Sequence, residues 1–320
     1  MLWLYIGAPI LLLALLFLTV LWLVFRKTFF VSAARRRAAD PYAMPPGFEG
    51  QEATMLDLIR AVDERPYESV TITARDGTRL VARYHHVADG APLQIQCHGY
   101  RGAAVRDFCG GNPLAREMGH NTLLIDQRAS GKSGGSVITF GIRERYDILD
   151  WVSYAIARFG EVPILLVGVS MGGASVLMAS GEPLPPSVVG VVADCPYSAP
   201  ADIISSVIRM MHLNPRYALP LVRMSARLFG GFSLYACTAR EAVTRAKIPL
   251  LLLHGEADTL VPCDMSREIA TAAGELATLH TFPGANHGAS FMTDPDRYRA
   301  AVIGFCDGCL ARTAKPTGEQ

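Results

Sequence analysis

The stretch that most constrains the fold is Gly168-Val169-Ser170-Met171-Gly172, which joins an apolar run to a helical pattern of small and apolar residues. A chain that leaves a buried strand and enters a helix at once must turn sharply, and glycine allows backbone to approach where a Cβ would collide. Gly-x-Ser-x-Gly in this strand, turn and helix context is typical of a serine held above a sheet with its hydroxyl exposed. We therefore predict that Ser170 is a nucleophile.

A nucleophilic serine needs partners, because its hydroxyl reacts only with a base in hydrogen-bonding reach and an acid that orients the base. In this arrangement the acid and then the histidine follow the serine along the chain. Asp258, in "HGEADTLVP", is the candidate acid, with Glu256 as a near neighbour, and His287, in "GANHG", is the candidate base. His254 is a rival base, but it closes an apolar run four residues before Asp258, which favours a structural hydrogen bond.

The tetrahedral intermediate formed by such a serine needs two hydrogen-bond donors for its oxyanion. One is predicted to be the backbone N–H of Met171, the residue after the nucleophile. The other is predicted to be the backbone N–H of Tyr100 in "CHGYRGA", where Gly99 allows a sharp turn. His98 ends an apolar run, which favours a role in bracing this loop over a catalytic one.

Short apolar runs alternate with helical patterns along most of the chain, which predicts an α/β fold with helices on both faces of a largely parallel sheet. An antiparallel hairpin around Asp76-Gly77 opens the domain. The segment 199–236 interrupts the alternation and is predicted to be a helical cap. The predicted strands are 93–98, 121–126, 163–169, 188–195, 249–255 and 277–282, and the predicted helices are 146–160, 171–180, 264–273 and 295–312.

The N-terminal 25 residues carry no charged side chain, and a helix of that length covers about 37 Å, more than the roughly 30 Å hydrocarbon core of a bilayer. A cleavable signal peptide would have a basic start and a shorter apolar run. The nearby positive charges, Arg26, Lys27 and residues 35–37, all follow the helix, which predicts an external N-terminus and a cytoplasmic domain. An uncleaved export signal with an extracytoplasmic domain stays open as the alternative.

The predicted organisation is therefore one membrane helix followed by one large domain. Residues 1–25 form the transmembrane helix, and 26–66 form a basic juxtamembrane segment and a linker, of which the Pro- and Gly-rich stretch 39–51 lacks either hydrophobic period. Residues 67–312 form the α/β domain, and 313–320 form a flexible tail.

Charge and cysteine usage exclude several classes of function. Thirty basic and 29 acidic residues leave a net charge of +1, which argues against nucleic-acid binding. "DQRASGKSGG" resembles a phosphate loop only in part, because Asp126 stands where the Walker pattern needs glycine. Seven dispersed cysteines favour reduced thiols in the cytosol, and Cys306-Asp-Gly-Cys309 has no second pair to complete a zinc site. No metal or cofactor is predicted.

The motifs "CHGYRG", "DQRASGKSGG", "TFGIRERYDILDWV", "GVSMGGAS", "ADCPYS", "LLHGEADTLVP" and "GANHG" occur in the order seen in serine-dependent α/β-hydrolases, and the chain resembles this superfamily over residues 69–312. It is most similar to small bacterial esterase-like hydrolases, membrane-anchored or cytosolic. The resemblance implies an eight-stranded sheet with one antiparallel strand, a short helical cap, Ser170 as nucleophile, Asp258 as acid and His287 as base. Gln127 and Ala129 depart from the commoner "DxRGxG" sequence, in a loop that supports the site.

These observations predict a membrane-anchored serine hydrolase that cleaves an ester-type acyl bond through an acyl-serine intermediate. A peptidase or thioesterase with the same triad, and a non-catalytic membrane-anchored scaffold, are the alternatives. The predicted substrate is a small acyl or lipid-like molecule, and no oligomeric state is predicted. Seven apolar cap residues either line an acyl pocket or pack the cap onto the core: Met210, Met211, Leu213, Leu221, Met224, Leu228 and Phe229.

Overall fold

The computed structural model describes residues 2–37, 39–44, 48 and 50–313. This part of the chain contains one eight-stranded sheet of order β1-β2-β4-β3-β5-β6-β7-β8, in which β2 alone runs antiparallel to its neighbours. The eight-stranded α/β prediction is therefore confirmed. The strands are β1 Glu68–Thr73, β2 Arg79–His85, β3 Leu93–Cys97, β4 Asn121–Asp126, β5 Ile164–Val169, β6 Val188–Asp194, β7 Leu250–Gly255 and β8 Ala277–Phe282.

Thirteen α-helices surround or precede this sheet within the described residues. They are α1 Leu2–Thr28, α2 Ala33–Arg37, α3 Glu52–Asp63, α4 Ala104–Asp107, α5 Gly111–Glu117, α6 Glu144–Phe159, α7 Met171–Ser180, α8 Pro200–Met210, α9 Pro215–Ser225, α10 Ala239–Ala242, α11 Asp264–Ala273, α12 Ser290–Thr293 and α13 Pro295–Thr313. A π-helical turn, Ala226–Gly230, extends α9. The predicted cap segment thus contains two helices and this turn.

Alternation along β5 shows why the sheet is covered on both sides. Ile164 and Leu166 belong to the larger core cluster, whereas Leu165 and Val167 face the clusters on the other side. Because successive side chains of a strand point to opposite faces, a strand that is apolar throughout needs helices on both. In the described chain, α6 and α7 cover one face, and α5 and α13 lie on the other.

Helix α6 begins two residues before the predicted start at residue 146. The carboxylate of Glu144 accepts hydrogen bonds from the backbone N–H groups of Thr139 (2.8 Å) and Gly141 (2.9 Å), which satisfies two donors just before the helix. These hydrogen bonds are polar contacts, so the apolar periodicity used to predict the helix gives no sign of them. The predicted end near Gly160 is confirmed, and its φ of +75° suits glycine.

The segment before residue 67 packs more closely than a linker would. Helix α3 buries Met55, Ile59 and Val62, and α1 continues three residues beyond its predicted end. Phe29, in the predicted juxtamembrane segment, is fully buried. The folded body therefore begins well before residue 67. Residues 45–47 and 49 of the predicted linker, and 314–320 of the predicted tail, lie outside the described residues.

Candidate active site

Ser170 occupies the turn between β5 and α7 in a conformation that few side chains adopt. Its φ of 54° and ψ of −115° place a non-glycine residue in the left-handed half of conformational space, a strain found mainly at functional sites. Glycine is required on either side, because a Cβ at Gly172 would lie 1.8 Å from the carbonyl oxygen of Cys97, and one at Gly168 would lie 2.3 Å from Gly172. The sequence prediction of a crowded turn therefore has a direct steric cause.

The structure brings together the three side chains predicted to form a triad. His287, after β8, lies with Nε2 2.9 Å from Oγ of Ser170 and Nδ1 2.7 Å from Oδ2 of Asp258, which follows β7. Burial alone would raise the pKa of Asp258, but hydrogen bonds from His254 and His287 outweigh it and hold the pKa at about 2. An ionised carboxylate accepts from Nδ1–H, so Nε2 is left to accept the serine proton.

The rival histidine, His254, lies in the protein interior at the end of β7. Its Nδ1 is 2.6 Å from the hydroxyl of Ser266, and its Nε2 is 2.8 Å from the carbonyl oxygen of Val261. The same Nε2 lies 3.3 Å from Oδ2 of Asp258, so this histidine also contacts the predicted acid. With both ring nitrogens engaged and no exposed surface, His254 is placed as a structural residue.

The loop after β3 lies beside the serine. A Cβ at Gly99 would lie 3.4 Å from Cβ of Ser170, and the N–H of Gly99 donates to Asp107. The ring of His98 bonds to backbone at both nitrogens, on Gly99 and Gln127. The N–H of Met171, the second predicted donor, starts α7, where the first N–H groups of a helix have no intrahelical partner.

The side chain of Tyr100 fastens this loop to the N-terminal helix. Its hydroxyl donates to the carbonyl oxygen of Thr28 at 2.7 Å, and its ring stacks on Phe140 with centroids 5.0 Å apart. The next residue, Arg101, donates to the carbonyl oxygen of Lys27. No local sequence pattern predicts these contacts, since the two hydrogen bonds join residues more than 70 positions apart and the stacked rings are 40 positions apart.

Comparison with protein families agrees with the observed fold. Residues 95–247 match the model of the alpha/beta hydrolase fold family, and residues 217–296 match that of the serine aminopeptidase family S33. The chain belongs to the α/β-hydrolase superfamily. Solved structures with this fold include the esterase Pf2001 of Pyrococcus furiosus, with a TM-score of 0.62, 23% identity, and coverage of 79% of this chain and 92% of that one. Est1E of Butyrivibrio proteoclasticus has a TM-score of 0.56 and 21% identity over 76% of this chain and 99% of its own.

Two relatives of this α/β-hydrolase are named as uncharacterized proteins. YfhR of Escherichia coli strain K12 is 28% identical over 260 residues, which cover 78% of this chain and 84% of YfhR. YqkD of Bacillus subtilis is 23% identical over 196 residues, which cover 61% of this chain and 64% of YqkD. The alignment with YqkD therefore spans less than two thirds of that protein, and neither name carries an activity.

An apolar cavity of about 410 Å³ opens beside the serine of this α/β-hydrolase. Its lining residues include Gly99 and Ser170 at one end and Gln94 of strand β3 at the other. Apolar side chains form its walls: Met55, Phe108, Leu114, Met118, Val167, Val192, Phe291, Met292 and Val302. Of the seven cap residues for which an acyl pocket and core packing were both left open, Met210 alone lines this cavity within the described chain, so the acyl-pocket alternative has no support for the other six.

Two further groups at the site were not predicted, although Asp194 ends the apolar strand β6 and Cys195 directly follows it. The carboxyl of Asp194 is buried, and burial raises its pKa to about 6, against the lowering effects of Tyr298 and of the nearby histidines. Sγ of Cys195 lies 4.0 Å from Nε2 of His287. A polar residue at the carboxyl end of a parallel strand was the available signal.

Cys195, Asp258 and His287 offer three ligand atoms within 4.8 Å of one another, a grouping that invites the question of a metal. Thiols bind metals as thiolates, and burial raises the pKa of Cys195 well above its usual range. The histidine and the carboxylate are already hydrogen-bonded to each other. This donor set fits a proton-transfer pair better than a metal centre.

Proposed function

We propose that this protein is a membrane-anchored serine hydrolase that cleaves carboxylic esters through an acyl-serine intermediate. The observation that carries the proposal is the pair of hydrogen bonds that links Ser170 to His287 and His287 to Asp258. His287 would take the serine proton as Oγ attacks the ester carbonyl, and would then give that proton to the leaving alcohol. Water, activated by the same imidazole, would release the acid and restore the serine.

The backbone supports stabilisation of the tetrahedral intermediate. The N–H of Met171 is oriented by α7, and the loop of Tyr100 is held by Asp107 on one side and by the N-terminal helix on the other. Donors fixed in this way need little reorganisation when negative charge develops on the oxygen. The proposed mechanism requires no group beyond these residues and water.

The proposal predicts that a fluorophosphonate probe labels the full-length protein in detergent and that Ser170→Ala abolishes the labelling. Ser153→Ala, on the exposed face of α6, is the matched control and should label like the wild type. Gel fluorescence measures the labelling, and circular dichroism shows that the variants are folded. Equal labelling of folded Ser170→Ala would remove the serine from its proposed role.

The cavity supports an apolar acyl chain as the part of the substrate that is held beside Ser170. Val167, half-buried on the wall, offers a test, because Val167→Phe would fill the inner part of the cavity. Excluding three or four methylenes at about 0.8 kcal/mol each should lower kcat/KM for p-nitrophenyl octanoate roughly 100-fold relative to the acetate. If kcat/KM falls equally for both esters while thermal unfolding is unchanged, the acyl chain of the substrate binds elsewhere.

A peptidase acting through the same residues is the second candidate, and the match of residues 217–296 to the serine aminopeptidase family favours it. Esters and amides both form an acyl-serine intermediate, and they differ in the leaving group, alcohol or amine, that departs as it forms. Comparison of kcat/KM for aminoacyl p-nitroanilides and acyl p-nitrophenyl esters therefore separates the two candidates.

We further propose that α1 is the anchor and that the domain is cytoplasmic. The candidate membrane span is Gly7–Thr28, and Arg26, Lys27 and the basic residues of α2 lie at its domain end. Positive charge at one flank favours that side as the cytoplasmic one.

A further inference from the structure

The cap exposes an unusual amount of apolar side chain to solvent. Seven residues of α8, α9 and the adjoining turns are between 38% and 71% exposed. Contiguous apolar patches of this kind mark contacts with other molecules or membranes. We call this patch the cap surface, and its members are Val207, Met210, Met211, Leu213, Tyr217, Met224 and Leu228.

The charged side chains that lie among the apolar residues of the cap surface are all positive. Four exposed arginines lie among the apolar residues, and the sequence from 203 to 239 contains no Asp or Glu. None of the four takes part in an ion pair within the described chain. They are Arg209, Arg216, Arg223 and Arg227. Apolar side chains interspersed with arginine are the composition of helices that lie at the surface of an anionic membrane.

The cap surface is continuous with the proposed anchor. The ring of Trp22 packs against Phe229 with centroids 5.2 Å apart, and the rings of Phe25 and Phe229 are 5.8 Å apart. Because the last turns of the candidate span Gly7–Thr28 pack against the domain, the crossing is assigned to residues 2–21 of α1, which are enough to cover a hydrocarbon core of about 30 Å at 1.5 Å per residue. The following turns, with α9 beside them, then fall at the depth of the lipid headgroups.

A groove on the cap surface suits a phosphate headgroup. Arg223 and Arg227 are four residues apart and line a cavity of about 290 Å³ together with Ser233 and Tyr235. The guanidinium of Arg223 lies 4.7 Å from the ring centroid of Tyr235, a contact that orients it. Guanidinium groups bind phosphate through paired, charge-assisted hydrogen bonds.

We propose that the cap surface docks on the anionic lipid leaflet from which α1 emerges, with lipid phosphates in the groove of Arg223 and Arg227. The proposal rests on the anchoring role proposed for α1. Met210 belongs both to the cap surface and to the wall of the cavity beside Ser170. Docking would therefore turn the entrance of that cavity toward the bilayer, and substrates would enter from the lipid phase.

The test places fluorescent probes on the full-length chain in lipid vesicles. All seven native cysteines are buried, so bimane can be attached at Met211→Cys or Leu228→Cys, with Val87→Cys as the matched control. Val87 bonds to Asn121 at the start of β4, the edge of the sheet opposite Ser170. Vesicles of phosphatidylcholine and phosphatidylglycerol carry a spin-labelled lipid as quencher. An interfacial depth of about 5–10 Å predicts that the cap probes lose roughly half of their fluorescence, while the Val87 probe keeps it.

The electrostatic part is tested by replacing Arg223 and Arg227 with glutamine in the probe-bearing chain, with Arg158→Gln as control. The double replacement should reduce quenching to the level measured in vesicles of phosphatidylcholine alone, and the control should not. If the protein floats with vesicles but its cap probes are quenched no more than the Val87 probe, the docking proposal is overturned and anchoring stands. Failure to float overturns both. Probe shielding that rises with protein concentration in the absence of lipid would instead identify a second copy of the chain as the occupant.

Discussion

Asp258→Asn is expected to lower kcat for ester hydrolysis about ten-thousand-fold, the scale of the loss when the acid of a triad becomes an amide. Oδ1 of Asp258 accepts hydrogen bonds from the N–H groups of Leu260 (2.9 Å) and Val261 (2.8 Å), while Oδ2 accepts from His287. An amide cannot satisfy all three contacts. If its NH₂ faces the histidine, the imidazole must change tautomer and lose its basic nitrogen toward Ser170. If the NH₂ faces the backbone, donor meets donor.

Glu256→Gln is the matched control for this prediction. Glu256 is two residues away, exposed, and bonded to the hydroxyl of Thr281, so its replacement should leave kcat within about two-fold, the effect of an ordinary surface substitution. Stopped assays with p-nitrophenyl esters measure both variants. A fully active Asp258→Asn protein would show that another group orients His287.

The same residue predicts a pH effect on stability. The pKa of Asp258 is about 2 in the folded protein and near 4 when unfolded, so the unfolded state binds the proton first as pH falls. Its contribution, about 2–3 kcal/mol, is complete above pH 4 and is lost between about pH 4 and pH 2. Urea titrations of wild type and Asp258→Asn should converge across that interval.

Arg128→Met is expected to lower the free energy of unfolding by about 3–5 kcal/mol, the cost of leaving one partner of a buried ion pair alone. Nε and Nη2 of Arg128 donate to the carboxylate of Asp147 at 2.7 and 2.6 Å, and Nη1 donates to Asp76 at 2.9 Å. The Arg128 and Asp147 side chains are only 7% and 5% exposed. The guanidinium thereby fastens the β1–β2 hairpin and the first turns of α6 to the sheet edge.

Two further variants separate this effect from a general loss of charge. Arg128→Met with Asp147→Leu should recover most of the stability, because no uncompensated carboxylate then remains buried. Arg158→Met breaks the exposed pair with Glu68 and should cost less than about 1 kcal/mol. Urea unfolding in detergent measures all three. Equal losses for Arg128→Met and Arg158→Met would contradict the prediction.

Much of the fold was predictable because its signals are local. Apolar runs indicated the buried strands. The crowded turn at Ser170 was indicated by two glycines, Gly168 and Gly172, within five residues of sequence. Chain order then placed Asp258 and His287 on loops at the same sheet edge. These steps need strand periodicity, the rule that parallel strands end together, and the order of serine, acid and histidine that accompanies the Gly-x-Ser-x-Gly turn.

The remaining features depend on contacts between distant segments. Nothing in the sequence near Tyr100 indicates that its hydroxyl meets Thr28, and nothing near Phe25 indicates a partner at Phe229. A membrane helix and a core helix share the same composition, so the burial of the last turns of α1 could not be predicted. Helix α3 was not predicted, because the prolines before it suggested a linker.

The junction between α1 and the domain has a practical consequence for how the protein is prepared. Removing an apolar N-terminal helix is a common way to obtain soluble enzyme. Here a cut after residue 31 would delete the Thr28 carbonyl that holds Tyr100, the backbone bond from Ile138 to Phe29, and the Phe29 ring itself. In the shortened chain, loss of the Phe29 ring would leave a cavity beneath the loop that lies beside Ser170. Rates measured on the full chain in detergent or nanodiscs therefore describe the enzyme, and rates from such a fragment describe a damaged one.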